Sequence, residues 1–481
     1  MTLIQKFRKK FIGDRAFYKM LLAILVPLVV RQGITNFVSL LDNVMVGRLG
    51  ELPMSAVAID NQLIFIFNLA IFGGLSGAAI FSTQFYGSGD WKGMRDTFRF
   101  KLYFSLAMSA VVVAVFLIFS EPLVMLFLKS ESNTAEEVAE TLVYAKDYMK
   151  VAVIGLLPFA LVQAYGGTLS EMGETKLPMY AGIAAIFVNL GFNYLLIYGK
   201  CGFPALGVTG AAIATVLSRF VELAIVLIAT HRRSGVYQFA KGVYRTAKVP
   251  LKLVKRIVIT GSPLMINEIM WSMGRTFINW NYSYRGIDVV SATNITTTAW
   301  NLFCVIMFAF GTAVSIIVGQ RLGAEDREGA RDAANKLIFA TFASQCVVGA
   351  LLVASAGLIP EIYNVKPYVK ELSHDFLVIC GFVLPLDSIV HDIYFTIRSG
   401  GKTFITFLFD SFYEWVVPCV ISFILCRYTS LDIVLIYLIV MCADMIKFTF
   451  GIPMLRSGFW ANTLVGSREH NDKRTKKQEN V

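Results

Sequence analysis

Asp42, Asn189, Asn193 and Thr215 place a carboxylate, two amides and a hydroxyl inside long apolar stretches. Their oxygens are hard ligands of the kind a small cation takes, and a lone carboxylate can instead bind a proton. Asn189 and Asn193 are four residues apart, hence on one face of a helix. Further along, Glu268, Trp271, Asp387, His391 and Asp410 form a more acidic group, again within apolar runs. Acids there can form a negative wall for organic cations, and a tryptophan such as Trp271 can stack on a flat one. His391 titrates near neutrality when unperturbed. It is either a proton relay or a hydrogen-bonded structural histidine. A charge at bilayer depth is costly, so each of these groups needs a partner, a water-filled cavity or a function.

Other charged residues read as structural. Arg219 and Glu222, and likewise Asp444 and Lys447, are three apart and can neutralise one another on a helix surface. Glu268 and Arg275 share a face seven residues apart, so pairing of Glu268 with Arg275 or Arg398 competes with a cargo-facing role. Arg31 has no local partner, and Asp60 in the next apolar run is a candidate. Residues 399–403, SGGKT, resemble a phosphate-binding loop only superficially, because Thr396 stands where that motif requires glycine. Catalytic triads and metal-ligand spacings are not found. The chain is expected to be neither an enzyme nor a cofactor protein, with Na⁺ or H⁺ as a coupling ion.

The elements that hold these residues follow from composition. The chain has 481 residues, 56% hydrophobic and 16% charged, whereas soluble domains carry about 25% charged residues. Long apolar runs are spread along its whole length, which indicates a polytopic all-α membrane protein. Twelve helices are expected, at about 17–44, 54–84, 97–120, 142–169, 177–199, 206–231, 257–283, 289–320, 334–358, 372–397, 403–427 and 431–455. The start is basic and runs directly into the first of these, so a cleavable leader is not expected. Lys and Arg concentrate in the N-terminal arm, alternate loops and the tail. The 231–256 loop has eight of them and no acid, while Glu131, Glu136, Glu137 and Glu140 crowd the loop at 129–140. The positive-inside rule then puts both termini in the cytoplasm, with the plasma (inner) membrane as the location. The net charge of +11 is accounted for in the same way, so nucleic acid is not an expected partner. The basic segment 467–481 reads as a topology anchor or a contact to membrane lipids. The seven cysteines lie mostly within spans and show no disulfide or zinc spacing.

The chain also repeats itself. QFYGSGDWKGMRD at 84–96 and QRLGAEDREGARD at 320–332 share six residues at a constant offset of 236, from Gln84/Gln320 and Gly87/Gly323 to Asp96/Asp332. Pro27 and Pro263 keep that offset, and Pro158/Pro385 and Gly173/Gly400 follow at 227. Two six-helix halves entering the bilayer in the same sense imply a pseudo-twofold axis along the membrane normal. The expected organisation is a basic arm at 1–16, an N-lobe at 17–231, a basic linker at 232–256, a C-lobe at 257–456 and a basic tail at 457–481. Two pseudo-symmetric lobes that rock around a central cleft would provide alternating access.

Several stretches carry a resemblance: LLDNVMVGRLGELPMSAVAI (40–59), FGGLSGAAIFSTQFYGSGD (72–90), VNLGFNYLLIYG (188–199), GVTGAAIATVLSR (207–219) and RSGGKT (398–403). Together they resemble the multidrug and toxic compound extrusion family over roughly residues 17 to 456. The resemblance implies a twelve-helix secondary antiporter that exports organic, often cationic, compounds in exchange for Na⁺ or H⁺. It also implies an ion-coupling site in the N-lobe at Asp42, Asn189 and Asn193. Some members carry an acid at the position of Asn193. In the C-lobe the family often uses a helix-seven glutamate and a helix-ten aspartate. Asp387 fits the second pattern, eleven residues before Arg398. Trp271 occupies the usual glutamate position, with Glu268 about one turn earlier. A monomer is expected. The main alternative is a flippase for lipid-linked oligosaccharides from the same superfamily. Such proteins tend to have more helices and a cationic cavity, whereas these spans hold more acids than bases.

Overall fold

A computed structural model of the chain describes residues 3–128 and 134–466. Glu131 and the basic segment 467–481 lie outside the described residues.

Every described element is helical. A short α1 (Leu3–Phe11) leads into α2 (Arg15–Gly47), α3 (Glu51–Ser88), α4 (Trp91–Ile118) and α5 (Ser120–Leu128). Then α6 (Ala135–Ala152) and α7 (Leu156–Glu171) make one span through a 3₁₀ turn at Val153–Gly155, followed by α8 (Lys176–Tyr198) and α9 (Gly207–Arg232). After the linker come α10 (Leu251–Ser283), α11 (Ile287–Phe303), α12 (Val305–Gly323), α13 (Arg327–Ser355) and α14 (Pro367–Ser399). The last two spans are broken. One is α15 (Thr403–Phe407), α16 (Tyr413–Val416) and α17 (Pro418–Tyr428), and the other is α18 (Ile433–Ala443) and α19 (Phe448–Ser457). All twelve expected spans are present, some longer than the minimum for hydrocarbon. Among the described residues, eleven helical stretches are long and apolar enough to cross a membrane. The span that falls short is α10, whose interior carries Asn267, Glu268, Arg275 and Asn281.

The irregularities have local causes. α2 and α10 each contain a proline at the repeat-related positions Pro27 and Pro263, where a backbone donor is lost. The α15–α16 junction is a π-turn at Leu408–Phe412, just ahead of Pro418. Asp410 lies within it, and such turns often mark functional sites. α6 begins with a complete capping box between Thr134 and Glu137.

The chain packs as two compact units. One is formed by Val26–Ser82 and Trp91–Lys255; the other by residues up to Leu25, Thr83–Asp90 and residues from Arg256 onward. Within the second unit the duplicated turn has a clear purpose. A Cβ on Gly87 would collide with the Gln320 carbonyl, and one on Gly323 with the Gln84 carbonyl. The two glycines therefore allow two backbones to touch reciprocally, one copy of the motif against the other. Gln84 is fully buried there. It donates to the Ser399 carbonyl at 3.0 Å and accepts from the Leu464 N–H at 2.7 Å.

Candidate functional site

In the first unit, α2, α8 and α9 bring the four expected cation ligands together. Asn193 Nδ2 donates to Asp42 Oδ1 at 2.6 Å and to Asn189 Oδ1 at 3.2 Å. Asn189 Nδ2 lies 3.3 Å from Thr215 Oγ1. With its amide turned over, Asn189 would donate to Asp42 Oδ1 at 2.9 Å and accept from Thr215 at 3.3 Å. Asn189 and Asn193 are buried, at 4% and 1% exposure, and Asp42 is half-buried. Asn193 Oδ1 is buried with no hydrogen-bond partner. An orphaned acceptor beside a carboxylate, an amide and a hydroxyl is an arrangement that suits a small cation.

An apolar layer adjoins this cluster. Val46, Ile197 and Ala211 each lie one helical turn from Asp42, Asn193 and Thr215, and they pack with Val57, Tyr148 and Val208. Tyr198 fastens α8 to α2 by donating to the Met45 carbonyl at 2.8 Å. These contacts hold the polar side chains in register with their neighbours.

Several charges within the spans of this unit close on themselves. Arg219 pairs with Glu222 at 3.2 Å, as the i,i+3 spacing implied. Arg31 also turns to Glu222, at 3.7 Å, which corrects the suggestion that it restrains Asp60. Asp60 is instead fully buried with neither carboxyl oxygen hydrogen-bonded. Sequence reasoning also missed Lys101, which is 1% exposed and binds Glu171 at 2.5 Å and Thr168 at 3.1 Å. A lysine inside an expected span was the available signal, but its partner is 70 residues away on α7.

In the second unit the acids form a network. Asn267 donates to Asp410 Oδ2 at 2.9 Å and to Tyr394 at 3.2 Å, and its carbonyl side receives Ser411 at 2.8 Å. Lys447 lies 3.2 Å from Asp444 and 3.7 Å from Asp410. Arg275 pairs with Glu414 at 3.4 Å, not with Glu268, so the i,i+7 pairing is replaced by one between helices. Trp271 lies below the Arg275 guanidinium, 5.7 Å from it, and Trp415 donates to the Met270 carbonyl at 2.9 Å. Glu268 and Asp387 make no hydrogen bond or ion pair among the described residues. Arg398, Asp410 and His391 act on Glu268 through space, and Asp444, Arg275, His391 and Lys447 on Asp387. His391 Nδ1 is 3.5 Å from Asp392, beyond hydrogen-bond geometry, and its ring packs against Phe308 and Phe395. Asp392 itself was overlooked as a site residue: it is fully buried and bonded to Thr341, 51 residues away.

A twelve-helix chain with duplicated halves and polar clusters in its spans defines a membrane transporter. The model of the MatE family matches residues 27–195 and 263–424, one match in each half, starting at the two repeat prolines. The chain belongs to this family of multidrug and toxic compound extrusion transporters. It is 26% identical over 438 residues to a probable multidrug resistance protein NorM of Thermotoga maritima, covering 89% of this chain and 90% of that one. It is 25% identical over 412 residues to the probable multidrug resistance protein YoeA of Bacillus subtilis, covering 85% and 87%. The fold is shared with a MOP-superfamily transporter from Pyrococcus furiosus at a TM-score of 0.81 and 19% identity, over 95% of this chain and 98% of that one. It is shared also with a mutant of the Vibrio cholerae MATE transporter VcmN, at 0.82 and 16%, over 93% and 98%.

Proposed function

We propose that this multidrug efflux family member is a secondary antiporter. It exports small organic cations in exchange for Na⁺ or H⁺ and works by alternating access. The observation that carries this reading is the meeting of Asp42, Asn189, Asn193 and Thr215 from three helices, with one acceptor left unmatched. One carboxylate among neutral oxygens provides enough charge to bind a small cation and little enough to release it. In the second unit, Glu268 and Asp387 have carboxyls without a direct ion-pair partner among the described residues, which attract cationic cargo, and the Trp271 ring can stack on it. Competition of cation and cargo for shared or coupled acids makes the exchange obligatory. The energy available is about 2.3 kcal/mol per charge per 100 mV, plus the concentration term.

The protein works as a monomer in the plasma (inner) membrane. The acid-free, basic linker and the N-terminal arm support a cytoplasmic position for both termini. The excess of acids over bases within the C-terminal spans favours this reading over a flippase for lipid-linked oligosaccharides. Ethidium efflux from proteoliposomes, driven in turn by an imposed Na⁺ and an imposed H⁺ gradient, tests it. Efflux under one of the gradients is expected; efflux under neither refutes antiport.

A further inference from the structure

A cavity of about 730 Å³ opens on the outside of the first unit, between the start of α8 and the end of α9. It is separate from the Asp42 cluster, and its walls differ in kind from those of that cluster. Along α9 it follows Val221, Ile225 and Ile228 up to Arg232, a single stripe at helical spacing. From Val221 to Arg232 the stripe runs about 16 Å along the helix. Opposite them stand Leu177 and Tyr180 of α8; Tyr180 is 61% exposed and Ile228 49%. The groove is thus apolar over its length and open to its surroundings, as suits a membrane protein facing acyl chains.

Its polar end is equally defined. Lys176, Arg232 and Arg233 line the rim where α9 passes into the basic linker. Lys176 and Arg232 are exposed and make no ion pair among the described residues. The one acid on that rim among the described residues, Glu174, accepts from the Leu177 N–H at 3.2 Å and lies beside Tyr237, so three cations face a single carboxylate there. Cations at one end and a hydrocarbon channel leading away from them match the two parts of one molecule. Basic pockets between membrane helices recognise anionic lipid headgroups in this way.

From this geometry we infer that the α8–α9 groove is a binding site for an anionic phospholipid. Lys176, Arg232 and Arg233 hold the headgroup phosphate. The Val221–Ile228 stripe and Tyr180 take an acyl chain. The bound lipid braces α9, the helix that also carries Thr215. This inference depends on the membrane-spanning fold and not on the antiport reading.

The test uses the full-length protein in detergent, with lipid retention measured by native mass spectrometry. Phosphatidylglycerol, phosphatidylcholine and glycerol 3-phosphate are offered separately. Phosphatidylglycerol is expected to be retained in preference to both others. Lys176→Gln and Arg232→Gln, both at exposed positions, should each weaken its retention about fivefold. Ile225→Trp, which fills the channel while sparing the rim, should displace the lipid as well. Equal retention of phosphatidylcholine, or no loss in the two charge variants, would overturn the inference. Binding of glycerol 3-phosphate as strong as that of the lipid would overturn it too, by assigning the rim to a soluble anion.

Discussion

The two units treat charge in opposite ways. In the first, several charges within the spans are consumed in closed sets, Lys101 with Glu171, Arg99 with Asp96, and Arg31 and Arg219 with Glu222, while Asp60 is buried without a hydrogen bond. Asp42 is left among neutral amides and a hydroxyl. In the second, Arg275 and Lys447 are shared among Glu414, Asp410 and Asp444, while Glu268 and Asp387 stay unpaired in the same field. A compact single-charge cluster suits a small ion, whose ligands must converge within a few ångströms. A diffuse acidic network with tryptophans suits larger and more varied cations. One duplicated scaffold thus arranges its charged groups in two different ways.

The contrast can be broken at its strongest point first. Asp42→Asn should reduce gradient-driven ethidium efflux to that of empty vesicles, while the protein still inserts and elutes as a folded species on size exclusion. Next, Glu171→Gln leaves Lys101 buried without its counter-charge, at a cost of about 3–5 kcal/mol in stability. The double variant Lys101→Met/Glu171→Leu should recover most of that loss, and thermal unfolding would show it. This outcome would mark the pair as structural and separate it from Asp42.

Smaller effects sharpen the other side. Asp387→Asn should weaken ethidium binding about tenfold, equivalent to about 1.4 kcal/mol, and leave coupling-ion binding unchanged. Fluorescence titration in the presence of Na⁺ or at varied pH distinguishes the two. Thr215→Val removes one neutral ligand and should raise the cation concentration needed for half-maximal efflux by about threefold to tenfold.

The first unit was the more legible of the two from sequence. Asn189 and Asn193 announce a shared face by their spacing, and the duplicated proline and turn exposed the two halves. Pairings between helices were hidden, because they depend on which faces pack together. Arg31 meets Glu222 across 191 residues, and Arg275 prefers Glu414 to Glu268 on its own helix. Intrahelical spacing proved reliable for Arg219/Glu222 and Asp444/Lys447, where the partners are a turn apart, although Arg31 also reaches Glu222 and Lys447 also reaches Asp410. It failed for Glu268/Arg275, seven residues apart, because a buried acid on α16 lies closer to the guanidinium. The reciprocal seating of Gly87 and Gly323 was likewise unreadable, although the repeat that encodes it was in plain view.

The central claim is that cargo and coupling cation exclude one another through Asp42. The most direct measurement is cation release when ethidium binds to the purified protein, with Na⁺ followed by an ion-selective electrode and H⁺ by a weakly buffered pH indicator. Wild-type protein should release one of the two ions on binding ethidium, and the Asp42→Asn variant should release neither. Equal release from both proteins would contradict the account.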